Sequence, residues 1–340
     1  MHEGLRVKDM FSATQALMQL DSTTGKEAGV AEWLHAWLTQ HGYLAELQPV
    51  QDGRANVFAR LNGKTPKVVL STHMDCVPPY IAPSETDTYH VGRGACDAKG
   101  IIAAMLFAGE KLRAQGVHDF GYLFVVGEET DSIGAKTFTK TANHAGIRYI
   151  IDGEPTENQL MRGHKGVLAF KVSRKGRPGH SAYPELFDSA VHALVQELSA
   201  LVSAKLPEDA SFGATTVNVG RVQGGLAGNV IAEHAEAEIV CRLSRPLAEV
   251  EPLVRKAFGA GTTVDVRTAS DPAQIFVPEG YASDVVRFGT DVPHLKPVCP
   301  VLLVGPGSIH DAHTEHERLD KGQQLAAVDL YAELVRKLLV

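Results

Sequence analysis

Histidines and acids stand at the ends of four short apolar runs in this 340-residue chain. Val68-Val69-Leu70 leads into His73 and Asp75. Residues 122–126 lead into Gly127-Glu128-Glu129, residues 148–151 into Asp152-Gly153-Glu154, and residues 301–304 into a segment that holds His310 and His313. Asp97 lies in the glycine-rich stretch 92–100, just before a helical pattern of Ile101, Ile102, Met105, Leu106 and Leu112 that Gly116 closes. In extended chain, residues two apart point the same way, so His73 and Asp75 share a face. That spacing suits a metal-ligating imidazole whose second ring nitrogen is held by a carboxylate. His and carboxylate donors without thiolates suit zinc, and also cobalt or manganese. The candidate ligands are His73, Asp97, Glu129, Glu154 and His313. With one carboxylate bridging, five ligands serve two ions ~3.5–4 Å apart. Glu128 is then surplus to the ligands and is the candidate general base for an attacking water. One or two such loops are ordinary solvated turns; four apolar runs that all end this way are not.

The elements that must position these residues follow from the same runs. Short, continuous apolar runs are expected of strands buried on both faces of a parallel sheet. In open α/β sheets the working site lies at the carboxyl ends of the strands. Upstream, a helix is expected over 9–20. Thr24 and Glu27 have capping-box spacing before a second helix, which Ala28, Ala31, Leu34 and Leu38 line and which stops near Gly42. Strands are expected at 44–50 and 55–61. Between the third and fourth apolar runs the pattern changes. Residues 167–172 alternate as a half-exposed strand does, and a turn at 177–184 and a helix over 187–203 follow. Strands at 215–222 and 235–243, a helix at 247–258 and a strand at 263–268 complete the stretch. The predicted fold is α/β, a mostly parallel central sheet flanked by helices, with an inserted α+β module. Residues 1–165 and 271–340 form the expected metal-binding domain and 166–270 the insert.

Composition narrows the function. The chain is 44% hydrophobic and 21% charged, with a net charge of −7, which gives no reason to expect nucleic-acid or membrane partners. The first ten residues have no apolar core of a signal peptide, and no apolar run approaches the ~18 residues of a membrane span. The four cysteines, Cys76, Cys96, Cys241 and Cys299, lack CxxC spacing, so neither a disulfide framework nor a thiolate metal site is indicated, and a cytoplasmic location fits.

The motifs resemble those of the dinuclear zinc amidohydrolase and exopeptidase family that contains acetylornithine deacetylase, succinyl-diaminopimelate desuccinylase, aminoacylases and glutamate carboxypeptidase. The similar segments are HMDCVP at 73–78, GRGACDAKG at 92–100, GEE at 127–129, GEPT at 153–156, GHSAYP at 179–184, NVI at 229–231 and GPGSIHDAH at 305–313. They run through essentially the whole chain in the family's order. The resemblance implies that His73, Asp97 and Glu154 hold one metal and that Asp97, Glu129 and His313 hold the other, with Asp97 bridging. It makes Asp75 the partner of His73, Glu128 the general base, and His180 an oxyanion-stabilising residue that reaches the site of a partner subunit. Asn229 and Arg242 correspond to positions that grip the substrate carboxylate or the tetrahedral intermediate. His310 and Asp152 remain rival ligands to His313 and Glu154. Ala232 stands where many relatives have proline. Arg162, His164 and Lys165 resemble the deacetylase branch more than the desuccinylase branch; the alternative for them is a hinge at the domain join. The implied protein is a homodimer, joined through the insert, that hydrolyses the amide of an N-acyl amino acid. Desuccinylase and dipeptide-cleaving carboxypeptidase activities are the alternatives within the class. A non-catalytic binding protein on the same fold is the alternative outside it.

Overall fold

The computed structural model describes residues 9–340; residues 1–8, on which the signal-peptide reading partly rests, lie outside it. The chain divides into two compact units. The first comprises residues up to Arg162 with Ile275–Asp284 and Thr290–Val340, and the second comprises Gly163–Gln274 with Val285–Gly289.

The first unit is built on a sheet whose central strands are Val68–His73, Phe120–Val125, Tyr149–Asp152 and Val301–Leu303. Val68–His73 pairs in parallel with Phe120–Val125 on one side and Tyr149–Asp152 on the other, and Val301–Leu303 pairs in parallel with Tyr149–Asp152. Arg54–Arg60 adds to Phe120–Val125 antiparallel, and Leu44–Gln51 is the antiparallel edge beyond it. All residues of Val68–His73, Phe120–Val125 and Val301–Leu303 are buried. Helices that cover both faces leave no position for polar alternation in such strands, which is why the sequence shows unbroken apolar runs. The helices Met10–Met18, Ala28–Gln40, Gly100–Ala114 and Lys321–Leu339 supply much of the covering. Met10–Met18 and Lys321–Leu339 each begin at an aspartate, Asp9 and Asp320, whose carboxylate accepts a backbone N–H three residues on.

Ala28–Gln40 begins differently from expectation. Glu27 occupies its N-cap position without a side-chain cap bond. The Glu27 carboxylate instead meets Arg54 at 2.6 Å, and the Thr24 hydroxyl donates to Asp75 at 2.9 Å. Both side chains of the anticipated capping box have better partners, because one ion pair is buried and the other acceptor is a fully buried carboxylate.

The second unit is a four-stranded antiparallel sheet in the order Thr216–Gly224, His234–Leu243, Gly166–Lys175, Thr262–Ser270. Ala190–Val202 and Leu247–Arg255 pack on it through Leu194, Leu198, Leu201, Val250 and Val254 against Leu168, Phe170, Val172 and Ile239. Burial alternates along Gly166–Lys175, as a strand with one covered face requires.

One close approach sets the packing of Gly100–Ala114. A Cβ on Gly109 would lie 1.6 Å from the Tyr122 hydroxyl and 2.9 Å from the Phe120 ring. Tyr122 is fully buried, and its hydroxyl lies 3.3 Å from that of Tyr43. Gly109→Ala should therefore destabilise the protein by ~1–3 kcal/mol, the usual cost of overpacking. Urea unfolding checks this: Gly109→Ala should unfold at lower urea, and Gly109→Ala with Tyr122→Phe should recover part of the loss. An unchanged midpoint for the single variant contradicts the packing described.

Candidate metal centre

His73 is the last residue of its strand and is 1% exposed. Its Nδ1 stands 2.9 Å from the backbone carbonyl of Asp75. A carbonyl only accepts, so Nδ1 carries the proton. The carboxylate of Asp75 was the expected partner but lies 3.6 Å from Nδ1. It is occupied elsewhere. Oδ1 accepts the N–H groups of Gly127 (3.0 Å) and Glu128 (3.1 Å), and Oδ2 accepts that of Glu129 (3.2 Å) and the Thr24 hydroxyl. Three consecutive amides thus close on one buried carboxylate, with Gly127 at φ 78° to make the turn. Asp75 holds the turn that carries Glu128 and Glu129, and its main chain orients His73.

Asp97 lies between two imidazoles. Its Oδ1 is 2.9 Å from His73 Nε2, and its Oδ2 is 3.2 Å from His313 Nε2. Glu129 Oε1 is 3.0 Å from the same His313 nitrogen. With its Nδ1 proton committed to a carbonyl, a neutral His73 turns a lone pair toward a carboxylate oxygen. Two acceptors at that distance need a proton or a cation between them. Ligand-type atoms of His73, Asp97 and Glu129 lie within 4.8 Å of one another, and so do those of His73, Glu128 and Glu154. Imidazole and carboxylate donors of this kind fit divalent zinc, cobalt or manganese. His313 is held at φ 62°, a conformation that non-glycine residues rarely adopt and that clusters at functional sites.

The electrostatics point the same way. Burial alone would raise the Asp97 carboxyl, but His313 and His73 hold it well below the usual range. Burial works against charge on His73 too, yet Asp75 and Asp97 raise its pKa well above the ordinary value. Asp97 and Glu129 lift His313 to about 10. Burial pushes the Glu128 carboxyl well up; His73 opposes this, and Asp291, Glu129 and Asp75 add to it. Glu154 is raised by burial and then by Glu128. The centre is therefore a concentration of carboxyls with too little positive charge.

Asp152 is buried, one of its carboxylate oxygens has no hydrogen-bond partner, and it belongs to neither ligand group. His310 and His313 are both exposed and in neither group among the described residues, but His313 reaches Asp97 and Glu129 through Nε2. His180, Asn229 and Arg242 belong to the second unit. There the exposed His180 accepts the Ala182 N–H at Nδ1 and sits in a bridge with Val230, beside Asn229. Arg242 lies on His234–Leu243, opposite Thr216 and Val167. Sequence reasoning missed Thr24, Arg93, Asp291 and Glu317. Asp291 is 1% exposed, and burial raises its pKa to about 6 against a hydrogen bond from Ser132. Only Glu317 had a signal, as an acid four residues after His313.

The sequence profile of peptidase family M20/M25/M40 matches residues 69–337. The chain belongs to that family. It is a metallopeptidase-type hydrolase that acts on amide bonds. It is 36% identical over 363 residues to a probable carboxypeptidase of Aspergillus terreus, covering 94% of this chain and 84% of the relative. Its fold is similar to that of aminopeptidase PepT from Bacillus cereus, with a TM-score of 0.80 at 19% identity, covering 98% of this chain and 99% of that one. It is also similar to a dinuclear metal binding M20 peptidase from Bacillus subtilis, with a TM-score of 0.70 at 17% identity and 96% of both chains covered. Among the described residues no helix is long and apolar enough to cross a membrane.

Two outcomes are expected of this M20 centre. A His313 held at about 10 carries a proton at pH 7, and a metal ligand must give it up. Zinc added to the metal-free protein in weak buffer at pH 7 should release protons, and apparent affinity should tighten as pH rises; loading without proton release contradicts the ligand geometry. Asp75→Asn places an amide where three N–H donors converge, and should cost ~10–100-fold in metal affinity or activity, the range for groups that support ligands. Chelator competition measures it, and wild-type affinity together with wild-type turnover would contradict the role given to the carboxylate.

Proposed function

We propose that this chain is a two-metal hydrolase that cleaves the amide of an N-acyl amino acid, N-acetyl substrates first, in the manner of acetylornithine deacetylase. The observation that carries the reading is the pair of Asp97 oxygens, each facing a different imidazole nitrogen. A carboxylate so placed suits a bridge between two cations. On this reading His73, Asp97 and Glu154 hold one ion, and Asp97, Glu129 and His313 hold the other. Zinc is the first choice, with cobalt or manganese as alternatives.

When bound, the ions would polarise the scissile carbonyl and acidify the attacking water. The chain's own residues do the rest. Glu128, grouped with His73 and Glu154 but assigned to neither ion, takes a proton from water as the water oxygen bonds to the acyl carbon. It then returns that proton to the amine nitrogen as the C–N bond breaks, which leaves a carboxylic acid and a free amine. Asp75 keeps Glu128 in place through its amide. His180 is assigned an N–H donated to the developing oxyanion, and Asn229 and Arg242 the grip on the substrate carboxylate. The second unit is assigned the role of a lid and dimerisation domain, with His180 serving the partner subunit. This part rests on the family resemblance alone.

Dipeptide cleavage is the second reading, supported by the likeness to a fungal probable carboxypeptidase. A panel of acetyl- and succinyl-amino acids and dipeptides, assayed with added zinc or cobalt, separates the two. Highest kcat/KM on an acetyl-amino acid supports the proposal, and preference for dipeptides overturns its substrate half. No turnover of any amide overturns the enzyme reading itself.

Glu128→Gln should lower kcat by ~10²–10⁴-fold or more while metal content stays at the wild-type level. Turnover within a few-fold of wild type rejects Glu128 as the base. If His180 serves the partner subunit, mixing inactive His180→Ala and Glu128→Ala chains by co-refolding should restore activity in mixed dimers; dimers that form without activity remove His180 from the shared site.

A further inference from the structure

Glu317 is fully buried, and its carboxylate is entirely engaged by the segment that carries Asp97. Oε2 meets Arg93 Nη1 at 2.7 Å, and Oε1 accepts the N–H groups of Gly94 (2.9 Å) and Asp97 (3.3 Å). The Glu317 carbonyl accepts the Gly92 N–H at 2.9 Å. Arg93 is 3% exposed and closes the contact from the other side. Its Nη1 also donates to the Thr314 carbonyl and its Nε to the Pro79 carbonyl, both at 3.3 Å. Asp97 and Glu317 are 220 positions apart in sequence. The two segments joined here are those that bring Asp97 and His313 to within 3.2 Å.

Neither oxygen of Glu317 is free to act as a ligand, since both are filled by donors of this chain. A buried ion pair is a poor device for stability alone, because desolvation offsets most of the attraction and an apolar pair of similar volume would often do as well. Its merit is geometric. The arginine and carboxylate fix direction as well as distance, and the Asp97 amide is one of the donors, so a shift of Glu317 moves the backbone of the bridging residue directly. Thr314, which also takes part, adjoins His313, held at φ 62°. Small errors in ligand placement are costly in metal sites, where supporting groups change affinity by ~10–100-fold.

We propose that Glu317, acting through Arg93 and the amides of Gly94 and Asp97, is a positioning residue that sets the separation of Asp97 from His313 and with it the affinity for the second metal ion. The inference rests on the two-metal reading above. It predicts that the ion assigned to Asp97, Glu129 and His313 suffers more than the one assigned to His73, Asp97 and Glu154, because only the former uses both joined segments.

The test is zinc titration of the full metal-free chain against a chromophoric chelator, for wild type, Glu317→Gln and Glu317→Ala, with thermal unfolding of each metal-free protein alongside. Wild type should take up two zinc ions. Glu317→Gln keeps nearly the same volume and one acceptor oxygen but loses the charge opposite Arg93; it should bind the first ion as wild type does and the second ~10–100-fold more weakly. Glu317→Ala should show a larger loss of the second ion, or fail to fold, in which case Glu317→Gln decides. At limiting zinc, kcat of Glu317→Gln should fall while KM stays within a few-fold, and excess zinc should restore kcat. Two wild-type affinities in Glu317→Gln, with only its unfolding temperature lowered, would make the pair merely structural and overturn the inference while the two-metal reading stands. A wild-type chain that saturates at one zinc overturns both.

Discussion

The first unit is organised around an excess of buried negative charge. Asp75, Asp97, Asp152, Glu154 and Asp291 are all 5% exposed or less, and Glu128 and Glu129 adjoin them; the imidazoles of His73 and His313 are the counter-groups that touch the ligand set. An unpaired charge taken from water costs several kcal/mol even after relaxation. Some of this charge is answered inside the chain. Asp75 has three amides and a hydroxyl, and Glu317 has an arginine and two amides. Glu128, Glu154, Asp152 and Asp291 are pushed toward their neutral forms, and burial, the first cause in each case, also lifts Glu317 to about 7 against the pull of Arg93. Two divalent cations would supply the missing positive charge, and the donors that face one another across Asp97 are arranged as such ions would require.

The fold meets this constraint by delivering each donor from a rigid, buried element. His73 ends one central strand, and residues 127–129 follow the strand that pairs with it in parallel. Glu154 follows the strand on its other side, and His313 follows the next one. Parallel pairing is what brings these ends to one edge of the sheet. The turns between strand end and ligand are then locked by carboxylates from other segments, Asp75 for residues 127–129 and Glu317 for residues 92–97. The candidate ligands thus hang from two rigid frames at once, the sheet and a network of charged hydrogen bonds.

Much of this was legible in sequence because both signals are local. A strand covered on both faces must be an unbroken apolar run, and a metal site at its end must be His or acid, so the four runs and the ligand candidates could be read together. What was not legible depended on contacts distant in sequence. His73 and Asp75 have the spacing of an imidazole and its carboxylate partner, and the carboxylate stands 3.6 Å from Nδ1, but its closest donors lie in a turn some fifty positions later. Thr24 and Glu27 have the spacing of a capping box, yet Asp75 and Arg54 take their side chains. Glu317 stands four residues after His313, but nothing local ties it to Arg93, 224 positions away. Val285–Gly289 joins the second unit although no periodicity announces its return. In each case local pattern gave the residue its options and tertiary contact chose among them.

The central claim is that Asp97 bridges two cations, and anomalous scattering from crystals of the zinc-loaded protein tests it most directly. Two peaks ~3.5–4 Å apart are expected, one between Asp97 Oδ1 and His73 Nε2 and the other between Asp97 Oδ2 and His313 Nε2. A single peak, or an Asp97 oxygen still hydrogen-bonded to an imidazole in the fully loaded protein, would contradict the account.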